Sequence, residues 1–317
     1  MITVPKKIVD LLQENQTFIL IVHQKPDGDA IASAVAMGKG LKALGKNVEY
    51  YIDSAFEEKL HIFDEIASFN QLTQKHYDVM LFLDTSTFEY AFYPKNITAT
   101  VKLVIDHHKS NTFFGDEHFV EVVAACGELV FAVLQALKVP MDEEIAKAIF
   151  TAISTDTGSF QFANVTSNTH EVLAEIYKYP VDFSSLSKRL HTTKTFNQMK
   201  LFGIAIKNLN LFCHERISIS VISNAELNAY GGAVNVTDDV SNIGMNIDTV
   251  IISATFKEVE TAVYRVSLRG KSPYPIDVST IAIKYSGGGH LRAAGFTFYK
   301  KPEELLPELE ALIEGME

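Results

Sequence analysis

Cysteine is scarce in this 317-residue chain: Cys126 and Cys213 are the only two, far apart and in no Cys-x-x-Cys spacing. That excludes a disulfide scaffold and a cysteine-rich zinc site. Basic residues are short as well, with 28 Lys and Arg against 39 Asp and Glu and a net charge of −11. A net anion lacks the broad cationic footprint that long duplex nucleic acid or an anionic membrane requires, although it can still carry a local basic pocket for a small phosphate compound. No apolar run approaches the ~18 residues of a membrane span, and Met1–Leu12 contains no signal-peptide core. These absences describe a protein of a reducing cytosol. What is present is 47% apolar residues, enough for real cores. At ~100–200 residues per domain, the length suggests two.

The first half alternates apolar runs with helical spacing. Phe18–Val22, Val48–Ile52, Val79–Leu83 and Val101–Ile105 read as strands, and their continuous rather than alternating apolar character predicts a parallel sheet covered on both faces. Ala30–Leu44, stopped by Gly45, reads as a helix, as do Glu128–Leu137, Glu143–Ser154 and Ser167–Tyr177. The fold class is α/β: a doubly wound, mainly parallel N-terminal domain over residues 1–182. A polar helical linker is expected over 183–205, followed by a smaller α/β domain with a mixed sheet over 206–317. Its strands are expected at Arg216–Ile222, Thr249–Phe256 and Thr261–Leu268, and its helices at Asn224–Tyr230, Ile276–Tyr285 and Pro302–Glu314.

Three of the buried strands run into ionisable residues. The first leads to His23, Asp27 and Asp29, the third to Asp84, and the fourth to Asp106, His107 and His108. Ligands of open α/β sheets bind outside the carboxyl ends of the strands. Carboxylates converging there repel one another unless a cation neutralises them; imidazole and carboxylate together suit Mn, Fe or Zn, and a carboxylate-heavy set favours Mn or Mg over a structural zinc. Taken alone, each Asp is a turn former or an N-cap, and Asp29 could simply cap the helix that begins at Ala30. Taken together, with Asp156 closing a helix before Gly158, they form a metal-binding pattern. Gly287–His290 has two readings, a flexible turn or a close backbone approach to an anion. The remaining histidines, including His61, His76, His118 and His191, fit no motif.

In order and spacing, His23-Gln24-Lys25-Pro26-Asp27-Gly28-Asp29-Ala30, Asp84-Thr85-Ser86, Asp106-His107-His108 and Thr155-Asp156-Thr157-Gly158 resemble the four motifs of the DHH phosphoesterase superfamily. Gly287-Gly288-Gly289-His290, followed by Ala293-Ala294-Gly295, is similar to the signature of that superfamily's DHH-associated C-terminal domain, DHHA1. The short two-domain form most resembles the nanoRNase branch, which degrades very short oligoribonucleotides and removes the 3′-phosphate of 3′-phosphoadenosine-5′-phosphate (pAp).

The resemblance implies a pair of Mn²⁺ ions, with Mg²⁺ or Co²⁺ as substitutes. His23 and Asp27 would hold one, Asp29, His107 and Asp156 the other, and Asp84 would bridge them, the arrangement of two-metal phosphoryl chemistry. It implies that Asp106 orients a metal-ligand imidazole or the loop, and that His108 either gives a proton to the leaving oxygen or stabilises phosphoryl charge. Arg269, Gly287, Gly288, Gly289 and His290 would bind substrate from the second domain, placing the active site in an interdomain cleft. The implied partners are short RNA oligonucleotides, pAp or related small nucleotides, with a homodimer as a compatible assembly and with long duplexes and membranes excluded.

Two departures stand out. Where many relatives read Arg-Ser this chain has Arg269-Gly270, and Thr85–Phe92 lacks the Arg often found there, which leaves the terminal-phosphate preference open. Rival readings are a phosphodiesterase of linear pApA or cyclic di-AMP, a RecJ-like exonuclease, a type II pyrophosphatase, and a non-catalytic nucleotide-binding module.

Overall fold

A computed structural model describes residues 2–230 and 239–315. The chain divides into two compact units, Met1–Thr193 and Lys194–Glu317. None of the described helices is long and apolar enough to cross a membrane.

The first unit runs α1 (Lys6–Glu14), β1 (Thr17–Ile21), α2 (Gly28–Ala43), β2 (Asn47–Tyr51), β3 (His76–Leu83), β4 (Thr98–Asp106), β5 (Glu117–Val120), α3 (Cys126–Ala136), α4 (Glu143–Asp156), α5 (Ser167–Ile176) and α6 (Phe183–Ser187). Its five strands are all parallel, in the order β2-β1-β3-β4-β5. In this order the winding reverses between β1 and β3, which opens a crevice at their carboxyl ends. The apolar runs have the cause expected of them, burial on both faces. Phe18, Leu20, Leu81 and Leu103 face the helices, while Ile19, Ile21, Met80 and Phe82 face the other way. That second face is covered by irregular segments carrying Phe88, Tyr93 and Phe114 rather than by long helices. Small residues at Ala30, Ala34, Gly38 and Gly40 keep α2 buried among its neighbours; a Cβ at Gly38 would meet the Tyr50 hydroxyl at 2.0 Å.

Two elements of this unit lie outside the sequence expectation. Strand β5 has one buried residue in four, Phe119, too little for an apolar signal. Helix α1 buries Ile8 and Leu12, an i,i+4 pair in an otherwise polar stretch.

The second unit runs α7 (Phe196–Lys207), β6 (Leu209–Phe212), β7 (Ile217–Ile222), α8 (Asn224–Ala229), β8 (Ile252–Glu260), β9 (Val263–Gly270), α9 (Ser279–Lys284), β10 (Gly288–His290), β11 (Ala293–Phe298) and α10 (Leu306–Glu314). Its sheet is mixed, ordered β10-β11-β9-β8-β7-β6, with β7 and β8 parallel and the other neighbours antiparallel. Ile252, Ala254 and Phe256 point to an apolar core shared with α9 and α10. The alternate residues Ser253, Thr255 and Lys257 are buried on the opposite face, against which a 3-10 segment, Asp239–Asn246, packs.

Residues 183–205, expected as a helical linker, contain the division between the units and carry apolar residues of both. Phe183, Leu186 and Leu190 complete the first unit's core, Leu201 and Ala205 belong to the second's, and the division between the units falls after Thr193. The polar composition there reflects the outer faces of two short amphipathic segments.

Candidate metal centre

The ionisable residues gather at the carboxyl ends of β1, β3 and β4. His23 follows β1, Asp84 follows β3 and His107 follows β4. Asp27 is the N-cap of α2, accepting the Ala30 N–H at 3.1 Å, so the cap is Asp27 rather than Asp29 and the helix begins two residues earlier than expected. Asp29, in the first turn, points inward, and Asp156 ends α4 just before Gly158 turns the chain at φ +55°.

Three sets of donor atoms lie within 4.8 Å of one another: His23, Asp27 and Asp84; Asp29, His107 and Asp156; and Asp84, His107 and His108. Asp84 belongs to the first and third sets, and the third shares His107 with the second. Asp84 Oδ2 lies 3.7 Å from His23 Nε2, and its Oδ1 lies 3.3 Å from His107 Nε2. The two imidazoles are aimed by the same device. His23 Nδ1 sits 2.8 Å from the Gln24 carbonyl and His107 Nδ1 3.1 Å from that of Val123, so each ring presents Nε2 to the cluster. Asp29 is held by Ser33 Oγ at 2.9 Å and by the backbone N–H groups of Cys126 and Gly127 at 2.6 and 3.0 Å. Ser33 was not anticipated as part of this arrangement.

Four carboxylates share this space, and two charges ~4 Å apart interact by about 4 kcal/mol at an effective dielectric of 20. The protonation pattern records that strain. Burial, reinforced by the charges of Asp84 and Asp156, pushes Asp29 well above the usual carboxylate range. Burial and the Asp84 and Asp27 charges raise Asp156 to about 6. Burial alone would lower the histidines, but the neighbouring Asp27 and Asp84 carboxylates raise His23 to about 9. At His107 the nearby Asp84 carboxylate, 3.3 Å away, and the Asp29 charge overcome burial and raise it to about 11. The cluster therefore draws positive charge, as protons or as metal ions. Oδ1 of Asp84, 2% exposed, accepts no hydrogen bond, an arrangement that costs about 1–3 kcal/mol or more for a charged group unless a cation is bound. The all-nitrogen-and-oxygen donor set fits Mn²⁺.

Asp106 stands behind this cluster. It is fully buried and receives His108 Nδ1 at 2.7 Å and Asn111 Nδ2 at 2.5 Å. Those hydrogen bonds hold the Asp106 carboxyl below its ordinary range against the effect of burial, and the Asp106 bond raises His108. Asn111 was missed in the sequence because nothing marks an Asn three residues past His108 as part of the motif. Two other histidines of this unit have partners of their own: His191 pairs with Ser154 at 2.8 Å, and His76 sits between Thr98 and Thr100.

In the second unit, strand register sets Arg269 opposite Ala293 and Ala293 opposite His290. Directly opposed residues share a face, so Arg269 and His290 project from one side of the sheet with a small residue between them. Asn242 accepts Arg269 Nε at 3.0 Å. The glycines before His290 have a packing cause neither sequence reading contained. A Cβ at Gly287 would lie 2.2 Å from the Gly295 carbonyl oxygen, and one at Gly289 would lie 2.4 Å from that of Ala293, whereas Gly288 faces open space.

Residues 17–153 match the DHH family, N-terminal domain, and residues 218–316 match the DHHA1 domain. A Streptococcus mutans protein named probable bifunctional oligoribonuclease and PAP phosphatase NrnA is 26% identical, over 97% of this chain and 98% of its own. A Thermus thermophilus protein named bifunctional oligoribonuclease and PAP phosphatase NrnA is 28% identical, over 88% and 83%. The fold is that of an exopolyphosphatase-related protein from Bacteroides fragilis, with a TM-score of 0.86 at 21% identity, over 98% of this chain and 95% of that one.

Proposed function

Because this chain belongs to the DHH phosphoesterases and carries a DHHA1 domain, we propose that it hydrolyses short oligoribonucleotides to mononucleotides and removes the 3′-phosphate of pAp, using a pair of Mn²⁺ ions. The observation that carries the metal reading is Asp84, whose two oxygens face His107 and His23 separately. The substrate rests on the names of the two NrnA relatives, which align over most of their lengths.

His23 and Asp27 would hold one ion, Asp29, His107 and Asp156 the other, with Asp84 between. When bound, such a pair activates water and neutralises charge on the phosphoryl oxygens. The protein's own groups do the rest. Asp106 fixes His108 through Nδ1, so Nε2 is the nitrogen free to carry a proton towards the leaving oxygen. The His108 side chain is 41% exposed, open enough to meet a substrate. Arg269 offers a planar guanidinium for bidentate contact with a phosphate, and the backbone around Gly288 and His290 supplies further donors.

The test is a panel under Mn²⁺ with purified protein: pAp, dinucleotides, pApA, cyclic di-AMP, pyrophosphate and single strands of increasing length. Turnover is expected on dinucleotides and pAp and is expected to fall steeply with length. Comparable turnover on a dinucleotide and on a strand of tens of nucleotides would refute the reading, as would activity confined to pyrophosphate.

A further inference from the structure

We propose that Tyr90 is the base-binding residue of this site, stacking on the nucleobase attached to the phosphate under attack; this rests on the short-oligonucleotide reading above. The 3-10 turn Phe88–Tyr90 turns one aromatic inward and one outward. Phe88 packs at 4.5 Å from Tyr93 and 5.7 Å from Phe114, between ring centroids, and anchors the turn. Tyr90 is 52% exposed.

The turn that carries this ring is tied down by its backbone. The Gln24 N–H donates to the Tyr90 carbonyl at 2.9 Å, the Phe92 N–H donates to the Val22 carbonyl at 2.9 Å, and His23 pairs with Ala91 in an antiparallel bridge. Gln24 Nε2 adds a contact of 3.3 Å to the Glu89 carbonyl. The turn is thus stitched along the residues that carry His23 out of β1. One side of the Tyr90 ring lies on the His23 imidazole, centroids 5.5 Å apart and planes 14° from parallel. A half-exposed aromatic surface therefore stands on a hydrogen-bonded turn, beside the His23 ring of the metal-ligand cluster.

The chemistry of that surface selects an occupant. A phenol face has no charge to give an anion, so inorganic phosphate or pyrophosphate gains nothing from it. A nucleobase gains stacking with either purine or pyrimidine, because every base has a π-face, and it arrives tethered through ribose to the phosphate. Tyr90 would make this site one for nucleoside phosphates rather than for inorganic polyphosphate, with little preference among bases.

The experiment compares pAp with ribose 3′,5′-bisphosphate, the same phosphates without a base, on the full-length Mn²⁺-loaded protein. Tyr90→Ala and Tyr90→Leu are expected to raise KM for pAp roughly ten- to a hundredfold while changing that for the base-free analogue by less than about threefold, and Tyr90→Phe to retain wild-type behaviour. Inhibition by AMP should weaken in Tyr90→Ala, while inhibition by inorganic phosphate should not. Equal losses on both substrates would show that the ring serves only to hold His23, and unchanged KM for pAp would show that it does nothing; either overturns the proposal. A wild-type protein inert towards every nucleotide would instead overturn the functional reading and this proposal together, and it is seen before any variant is made.

Discussion

Gly28 stands so close to Thr155 that a Cβ placed on it would lie 2.5 Å from both the methyl and the hydroxyl of that side chain. The contact joins the first turn of α2, between Asp27 and Asp29, to the last turn of α4, one residue before Asp156. Carboxylates from two distant stretches of sequence are thereby brought to one place by a missing side chain.

Gly28→Ala should force those helix ends apart, at a cost of about 1–3 kcal/mol, the usual range for overpacking. Metal affinity should fall with it, because Asp156 moves relative to Asp27 and Asp29. Denaturant unfolding and metal titration check both effects. Gly203→Ala is the contrast. It lies in α7 with nothing within 4 Å of an added Cβ, so it should leave metal binding unchanged and raise stability by up to about 1 kcal/mol.

Asp84→Asn should remove activity and metal binding together. Asn preserves the side-chain shape and tolerates the positive φ of +50° at this position, so the fold is expected to survive. What it loses is one anionic oxygen between the two donor sets. The fall in turnover should exceed the 10–100-fold typical of groups that only support a metal ligand. Retained turnover within about tenfold of wild type would refute a bridging role for Asp84.

The elements that carry the chemistry were the most legible in the sequence, and for a physical reason. A parallel strand buried on both faces must be continuously apolar, so Phe18–Val22 and Val79–Leu83 announce themselves, and the ionisable residues after them fall at the one end of the sheet where ligands bind. Strand β5 was not legible because Phe119 is its one buried side chain. Ser33 and Asn111 were not legible because they act through Asp29 and Asp106, and a Ser or Asn in a helix or loop has no spacing that distinguishes this use. The Gly287 and Gly289 requirement was hidden for another reason: it comes from carbonyls of a strand that the sequence reading did not place, Ala293–Phe298.

Asp106→Asn should lower kcat by about 10–100-fold with metal content unchanged, since Asp106 reaches the reaction through His108. Asn111→Ala should have a smaller effect in the same direction. It removes one of two hydrogen bonds to Asp106 and leaves the His108 contact in place. Steady-state kinetics with metal analysis of each variant separates these effects. Loss of bound metal in Asp106→Asn would show instead that the residue supports the His107 side of the cluster.

Metal-free protein should become less stable as pH rises from 6.5 to 9. His23, raised to about 9, and His107, raised to about 11, keep their protons in the folded chain at pH values where an unfolded chain has released them. The folded state therefore binds more protons than the unfolded one across this window, and unfolding free energy must fall with increasing pH. For His23 the contribution is fully present below about 6.5, the ordinary histidine value, and is lost as pH rises through about 9. Asp29 and Asp156, both raised, act in the same sense, with Asp156 releasing its proton near 6. Saturating Mn²⁺ should reverse the trend, because the ligands must lose their protons to bind it and affinity then rises with pH. Thermal unfolding across the range, with chelator and with Mn²⁺, checks both slopes. A chelated protein whose Tm is flat or rising would mean that the histidines are neutral in the folded state and that the cluster does not draw positive charge.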